Sequence, residues 1–279
     1  MAPNASGPAG TVGHAARTNS YRSLFLSDLH LGARASRPVQ VLDFLRRTEA
    51  ETIYLVGDIF DLWHGGRVHW GDAQEAVLSD LSARARNGAR IVYLPGNHDA
   101  AMRAPDAQVA GWELREAVVH RAADARRYLV LHGDQCDPRF LRWHFMTRLG
   151  SRLDAMLRQA DAWHRRHAGL PEDAVSPAQR LIEKSNTMLA MGERFEKRLV
   201  KLARASGTTG VICGHSHKPG LREHGGVVYA NCGDWIDSLT ALVEDHSGAL
   251  RMLRHAPATA PVPALPNAGK GGALAGGMA

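Results

Sequence analysis

Short apolar runs, each closed by a polar or glycine-containing turn, recur along this chain. Ser23-Leu24-Phe25-Leu26, Ile53-Tyr54-Leu55-Val56, Ile91-Val92-Tyr93-Leu94, Tyr128-Leu129-Val130-Leu131 and Gly210-Val211-Ile212-Cys213 have the length and β-branched or aromatic content of buried strands. Between the first three runs the apolar spacing changes to a helical period. Val39, Val41, Leu42 and Leu45 share one side of a helix predicted over 38–50, and a second helix over 72–87 stops near Asn87-Gly88. With strands over 21–28, 52–57 and 90–95, this alternation predicts an α/β chain: a parallel sheet covered on both faces, with ligands gathered beyond the strand C-terminal ends.

After residue 134 the pattern changes. Two long helix-compatible stretches, 138–168 and 176–206, are separated by Gly169-Leu170-Pro171 and Ser176-Pro177, and they predict a helical hairpin inserted at about 138–206. The first stretch sets an apolar stripe (Phe145, Leu149, Leu153, Met156, Leu157) among seven arginines between Arg139 and Arg166. Such a helix suits an anionic membrane surface or an acyl-chain groove. The plainer alternative packs the stripe on Phe195, Leu199 and Leu202 of the second helix. Strands are predicted again over 209–213, 226–231, 238–244 and near 249–254. The expected organisation is a disordered extension over 1–20, one domain over 21–256 and a flexible tail over 257–279.

Composition narrows the setting. The 279 residues are 44 % hydrophobic, enough for a substantial core, and no apolar run approaches the ~20 residues that span a bilayer. Residues 1–20 lack the apolar stretch of a secretory signal, so a cytoplasmic location is expected. Cys136, Cys213 and Cys232 lack metal-finger spacing, and Cys213 reads as a core residue. A net charge of +6 favours anionic partners in general.

The chemistry lies at the strand ends. Asp28-Leu29-His30, Gly57-Asp58, Gly96-Asn97-His98-Asp99, His132-Gly133-Asp134 and Gly214-His215-Ser216-His217 occur in that order, several directly after the apolar runs. On an ideal strand Asp28 and His30 would face one side; just past a strand end, with Gly32 following, they can converge on one ion. The carboxylate of Asp58 can bridge two cations, Asn97 offers a neutral oxygen, and His132, His215 and His217 offer imidazoles. Oxygen plus imidazole without thiolate suits Mn²⁺, Fe or Zn²⁺ better than Ca²⁺ or Cu(I). Two such ions ~3.5–4 Å apart can clamp the attacking and departing oxygens of a displacement at phosphorus, and a water shared between them is acidified to hydroxide. Any one cluster is common by chance; the ordered set is not.

This set resembles the calcineurin-like metallophosphoesterase family, whose signature runs D-x-H, G-D, G-N-H-D/E, H and G-H-x-H. The resemblance implies a four-layer α/β/β/α sandwich with the inserted hairpin as a cap. It implies one metal on Asp28, His30, Asp58 and His217, and a second on Asp58, Asn97, His132 and His215. It also implies that His98 faces the scissile phosphate, with Asp99 orienting its ring.

Ser27-Asp28-Leu29-His30-Leu31-Gly32, Gly57-Asp58-Ile59-Phe60-Asp61-Leu62-Trp63, Gly214-His215-Ser216-His217-Lys218-Pro219 and Asn231-Cys232-Gly233-Asp234-Trp235 resemble one branch more closely. That branch is the UDP-2,3-diacylglucosamine pyrophosphatase family of lipid A biosynthesis. It implies release of UMP and 2,3-diacylglucosamine 1-phosphate, two divalent ions (typically Mn²⁺), and a place on the inner face of the cytoplasmic membrane. No nucleic-acid partner is expected. Well-studied members carry Arg where this chain has His98, which opens the alternative of another lipid-linked or nucleotide phosphoester. A scaffold without catalysis, and a nuclease or cyclic-nucleotide phosphodiesterase, are the remaining classes. Arg180 and Lys184 are candidate diphosphate contacts, and Lys218 and Arg222 weaker ones. Trp63 and Trp235 read as packing residues, with stacking on a base or sugar the alternative. His64, His69, His144, His164 and His167 read as surface histidines.

Overall fold

The computed structural model describes residues 19–61, 68–109, 111–137 and 193–256. In chain order these form β1 (Asn19–Leu26), α1 (Pro38–Arg46), β2 (Thr48–Val56), α2 (Asp72–Arg86), β3 (Arg90–Leu94), β4 (Glu113–Leu114), β5 (Ala117–Arg121), β6 (Arg127–Leu131), α3 (Glu193–Ala205), β7 (Gly210–Cys213), β8 (Gly220–His224), β9 (Val227–Asn231), β10 (Thr240–Glu244) and β11 (Leu250–Arg254). Strand order is β11-β10-β1-β2-β3-β4 in the first sheet and β5-β6-β7-β9-β8 in the second. β1 to β4 run parallel, as do β6, β7 and β9, while β10, β11, β5 and β8 pair antiparallel.

Alternation along each strand assigns its two faces. Leu24, Leu26, Ile53, Leu55, Ile91 and Tyr93 pack toward α1 and α2, beside Val41, Leu45, Val77 and Leu81. The intervening Phe25, Tyr54, Val56, Val92 and Leu94 meet Tyr128, Val130, Ile212 and Ala230 of the second sheet. Phe25 and Tyr54 stack there with ring centroids 4.7 Å apart. Leu129, Leu131, Val211 and Tyr229 point the other way and pack under Phe195, Leu199, Val200 and Ala203 of α3. Helices, sheet, sheet and helix therefore form four layers, each buried side chain contributing about 1.5–3 kcal/mol.

Several expectations change. The strand–helix alternation predicted a parallel sheet covered on both faces; helices cover one face and a second sheet the other, which is the four-layer order that the family resemblance implied. A strand buried on both sides has the same composition whichever layer covers it. The helix predicted over 38–50 ends at Arg46, because Thr48 to Ala50 pair with Asn19 to Tyr21, and Arg84 of α2 donates to the Thr48 carbonyl at 2.8 Å. Phe195 and Leu199, expected on a neighbouring inserted helix, are buried against the second sheet, with Leu202 packed beside them. The extensions at 1–18 and 257–279 and the segment 138–192, with the cap assigned to it, lie outside the described residues.

Away from the strand C-terminal ends, a buried polar cluster joins the two sheets. Glu244 of β10 accepts from Ser23 Oγ and Arg22 of β1, each at 2.8 Å, and from the Ala123 amide at 2.8 Å. His120 Nε2 of β5 lies 2.8 Å from the same carboxylate, and its Nδ1 is 3.0 Å from the Tyr54 hydroxyl. Burial alone would raise Glu244, but the hydrogen bonds from His120, the Ala123 amide and Ser23 outweigh it and hold the group down at about 2. Its folded value lies below the ordinary 4.5, so it favours the folded state above about 4.5 and loses that contribution as pH falls toward about 2. Urea unfolding followed down the acid range should show a shallower loss of stability in Glu244→Gln than in wild type. At neutral pH, Glu244→Ala should cost about 1–3 kcal/mol, chiefly by leaving His120, the Ser23 hydroxyl and the Ala123 amide without their partner.

Candidate metal centre

The chain leaves β1 and β2 in step. Past the last paired residues, Asp28 N donates to Gly57 O at 3.0 Å, His30 N to Asp58 O at 2.9 Å and Leu31 N to Ile59 O at 2.8 Å. The backbone there is left-handed at non-glycine residues: φ is +54° at Asp28, +46° at His30 and +52° at Asp58. His215 and His217, after β7, repeat it at +66° and +54°. Residues in this region cost free energy, on the order of 1 kcal/mol or more each, and persist where the surroundings over-determine them. Asp28 and His30 lie just past the end of β1, where left-handed backbone at both, with Leu29 between, turns them to one side. Leu29 between them is buried in the helix-side core.

The seven candidate ligands come together in two overlapping sets. In the first, Asp28 Oδ1 lies 3.1 Å from His217 Nε2 and 3.8 Å from His30 Nε2. The two imidazole nitrogens are 3.4 Å apart, and His30 Nε2 is 4.0 Å from Asp58 Oδ2. In the second, His132 Nε2 lies 3.4 Å from Asp58 Oδ2 and 3.4 Å from Asn97 Oδ1. His215 joins Asp58 and His132, with the facing atoms all within 4.8 Å of one another. Asp58 Oδ2 thus faces both sets. Two atoms each ~2.1 Å from a common ion at octahedral or tetrahedral angles lie about 3.0–3.4 Å apart, close to these spacings.

The residues fit divalent cations on a second ground. Asp28 Oδ1 is fully buried and accepts no hydrogen bond from the described residues, while Oδ2 accepts from Ser27 Oγ and from the His215 amide at 3.1 Å. Burial works to raise Asp28 and Asp58, yet the imidazoles around them hold both below the usual carboxylate range, Asp58 well below. In turn, burial works to lower His132 and His217, and the carboxylates overcome it, pushing them up to about 10 and about 9. Burial, with His98 beside it, pushes His30 down to about 4. The negative potential that draws protons onto His132 and His217 is the potential that draws a cation. Val56 O lies 3.0 Å from His132 Nδ1 and fixes that ring with Nε2 turned to Asp58.

The neighbours of His98 differ from expectation. Asp99 does not orient its ring. Its carboxylate accepts from the amides of Ile59 at 2.8 Å, Phe60 at 3.2 Å and Gly96 at 2.5 Å, and from the Tyr93 hydroxyl, which ties the Asp58 loop to the Asn97 loop from beneath. Asp61 takes the place instead, its Oδ1 3.1 Å from His98 Nδ1. Burial works to lower His98, while Asp58 and Asp61 outweigh it and raise it. The spacing of three residues from Asp58 was the available signal for Asp61, and sequence reasoning missed it. It also missed Asp137, whose Oδ2 lies 3.5 Å from His215 Nε2. His98 and His217 remain partly open, at 22 % and 32 % side-chain exposure, so solvent reaches the centre from their side.

Other candidates fall away from the centre or outside the described residues. Trp235 is a packing residue, fully buried against Phe44. Arg222 pairs with Glu196 of α3 at 2.6 Å, and Lys218 and His69 are exposed. Cys213 and Cys232 are buried, and burial pushes both thiols up, which suits core residues. Arg180, Lys184 and Trp63 lie outside the described residues.

Glycine is required where these loops touch. A Cβ on Gly57, at φ +80°, would run into the His132 ring, and one on Gly96 into the Asp58 carboxylate. Gly57→Ala is expected to cost about 1–3 kcal/mol and to lower metal uptake, read by thermal melts and elemental analysis. Gly88→Ala should affect stability alone, since a Cβ there meets nothing within 4 Å at φ +99°.

Comparison with known proteins gives the family of the chain. A protein of Xanthomonas campestris pv. campestris called UDP-2,3-diacylglucosamine hydrolase is 27 % identical over 248 residues, 81 % of this chain and 96 % of its own length. One of the same name from Chromohalobacter salexigens is 27 % identical over 213 residues, 72 % of this chain and 82 % of its own. Among solved structures, wild-type Vps29 from Entamoeba histolytica, complexed with zinc, is 17 % identical, with a TM-score of 0.40 over 83 % of this chain and 96 % of its own. The family described as calcineurin-like phosphoesterase matches residues 21–219, and the chain belongs to that family of phosphoester hydrolases.

Proposed function

We propose that this phosphoester hydrolase cleaves the diphosphate of UDP-2,3-diacylglucosamine, giving UMP and 2,3-diacylglucosamine 1-phosphate. Asp28, His30, Asp58 and His217 would hold one divalent cation, and Asp58, Asn97, His132 and His215 a second, with Mn²⁺ favoured and Fe or Zn²⁺ compatible with the donors. The observation that carries the reading is the pair of ligand sets sharing Asp58 Oδ2. Bound there, two divalent ions supply the concentrated positive charge and water activation that hydrolysis at phosphorus needs. The substrate assignment draws on relatives of that name at 24–27 % identity over most of the chain.

The chain's own residues then position and transfer protons. Asp61 Oδ1 lies 3.1 Å from His98 Nδ1, and the partly open ring would face the substrate from the side that solvent reaches. From there it donates to the phosphate oxygen that leaves, and Asp61 keeps the ring in one orientation. The buried His30 ring lies edge-on to it at 4.6 Å, so a bound diphosphate would meet the two partly open imidazoles, His98 and His217. Asp99 acts beneath, fixing the loops that carry Asp58 and Asn97. The inserted segment, with Arg180 and Lys184, would supply the remaining contacts to the nucleotide and acyl chains.

With such a lipid-linked substrate the protein would work in the cytoplasm, peripheral on the inner membrane face. No helix among the described residues is long and apolar enough to cross a membrane. The solvent side of α3 carries exposed Arg194, Arg198 and Lys201, which suits an anionic surface. A second reading, another lipid-linked or nucleotide phosphoester, is favoured by His98 standing where well-studied members of the branch carry Arg. A histidine donates one proton, whereas an arginine forks onto phosphate.

Mass spectrometry of the purified protein with UDP-2,3-diacylglucosamine and Mn²⁺ should detect UMP. Cleavage of an artificial phosphodiester without UMP release would favour the second reading. Asp58→Ala should abolish hydrolysis and metal uptake together; a folded variant that kept either would refute the shared-ligand assignment.

A further inference from the structure

We infer that Arg103 and Asp134 form a positioning pair dedicated to the second ion, setting the gap between Asn97 and His132. This rests on the two-ion reading above. Asn97 follows β3 of the first sheet and His132 follows β6 of the second, so no strand ladder fixes their separation. Arg103 ends a short 3₁₀ turn, Ala100–Arg103, that begins directly after Asp99. Its guanidinium folds back over both loops. One amino group donates to Pro95 O at 2.8 Å and lies 3.0 Å and 2.9 Å from the two Asp134 carboxylate oxygens.

The placement is specific. Pro95 stands two residues before Asn97, and Asp134 stands two residues after His132. A single nitrogen therefore spans from the main chain of one ligand loop to the side chain of the other. Asp134 is 2 % exposed, and its charge is paired only across that gap among the described residues. Nε of Arg103 is buried without a hydrogen bond and faces Glu116 Oε1 at 3.2 Å, a second acidic neighbour that keeps the guanidinium in place. The first ligand set is held differently: Asp28 is fixed by the His215 amide and by Gly57 O, neither of which touches Arg103. Loss of the pair thus loosens the Asn97–His132 side and leaves the Asp28–His217 side in register.

Arg103→Gln and Asp134→Asn test this in the full chain, stripped of metal and titrated with Mn²⁺ by calorimetry and electron paramagnetic resonance. Wild type should take up two ions. Each variant should hold one ion with unchanged affinity and the other about 10–100-fold more weakly, the range seen when groups behind a ligand are lost. The spin-coupled signal of the ion pair, and activity with it, should return at excess Mn²⁺. A purely structural role would lower the melting temperature and leave both affinities as they are. Unchanged affinities in folded variants, or equal weakening of both ions, would overturn the inference. If Arg103→Gln does not fold, Arg103→Lys, which keeps the charge and loses the fork, is read by the same criteria. A wild-type protein that takes up fewer than two ions would overturn the two-ion reading and this inference with it.

Discussion

Two carboxylates buried a few ångströms from the same imidazoles set the terms for the rest of the molecule. Asp28 and Asp58 are almost wholly removed from water, and like charges in a low-dielectric interior repel strongly unless positive charge lies between them. The surrounding histidines meet part of that demand by holding protons, and His30 is pushed the other way by burial beside His98. No such arrangement would persist for packing reasons alone. The left-handed backbone at Asp28, His30, Asp58, His215 and His217, and the glycines against which their neighbours rest, follow from bringing these groups together.

The layered scaffold makes the convergence possible. Each sheet brings its own parallel strands to one rim, and facing the two sheets across a shared apolar layer sets the two rims against each other. The rims must then be held in register at both ends. At one end Glu244 gathers Arg22, Ser23, His120 and Ala123 from both sheets; at the other, His132 reaches Val56 and Arg103 reaches Asp134. The apolar layer between them supplies cohesion without direction, and these polar contacts supply the direction.

Strands announced by continuous apolar runs were legible in the sequence, because burial on both faces leaves no polar positions to blur the pattern. β5 and β8 were not: Ala117–Arg121 and Gly220–His224 are largely exposed edge strands, and the one short apolar stretch among them, Ala117 to Val119, is only three residues long. The apolar pattern alone left open whether a helix or a second sheet was the outer cover, since Phe25 and Val92 need only something apolar opposite; the second sheet was implied by the family resemblance. The clustering of the seven candidate ligands was readable from their order at strand ends. Which acid stands behind His98 was not: Asp99 is adjacent in sequence but turns beneath the loop, and Asp61 reaches the ring from the next strand end.

The sheet margins have a consequence of their own. β4 is two residues long, and the other edge strands carry charge: Arg121 on β5, Arg222 and Glu223 on β8, Arg251 and Arg254 on β11. A neighbouring molecule trying to extend either sheet would have to strip water from these groups without offering them partners. Brevity and charge at the margins thus discourage the strand-on-strand polymerisation to which flat, apolar borders are prone.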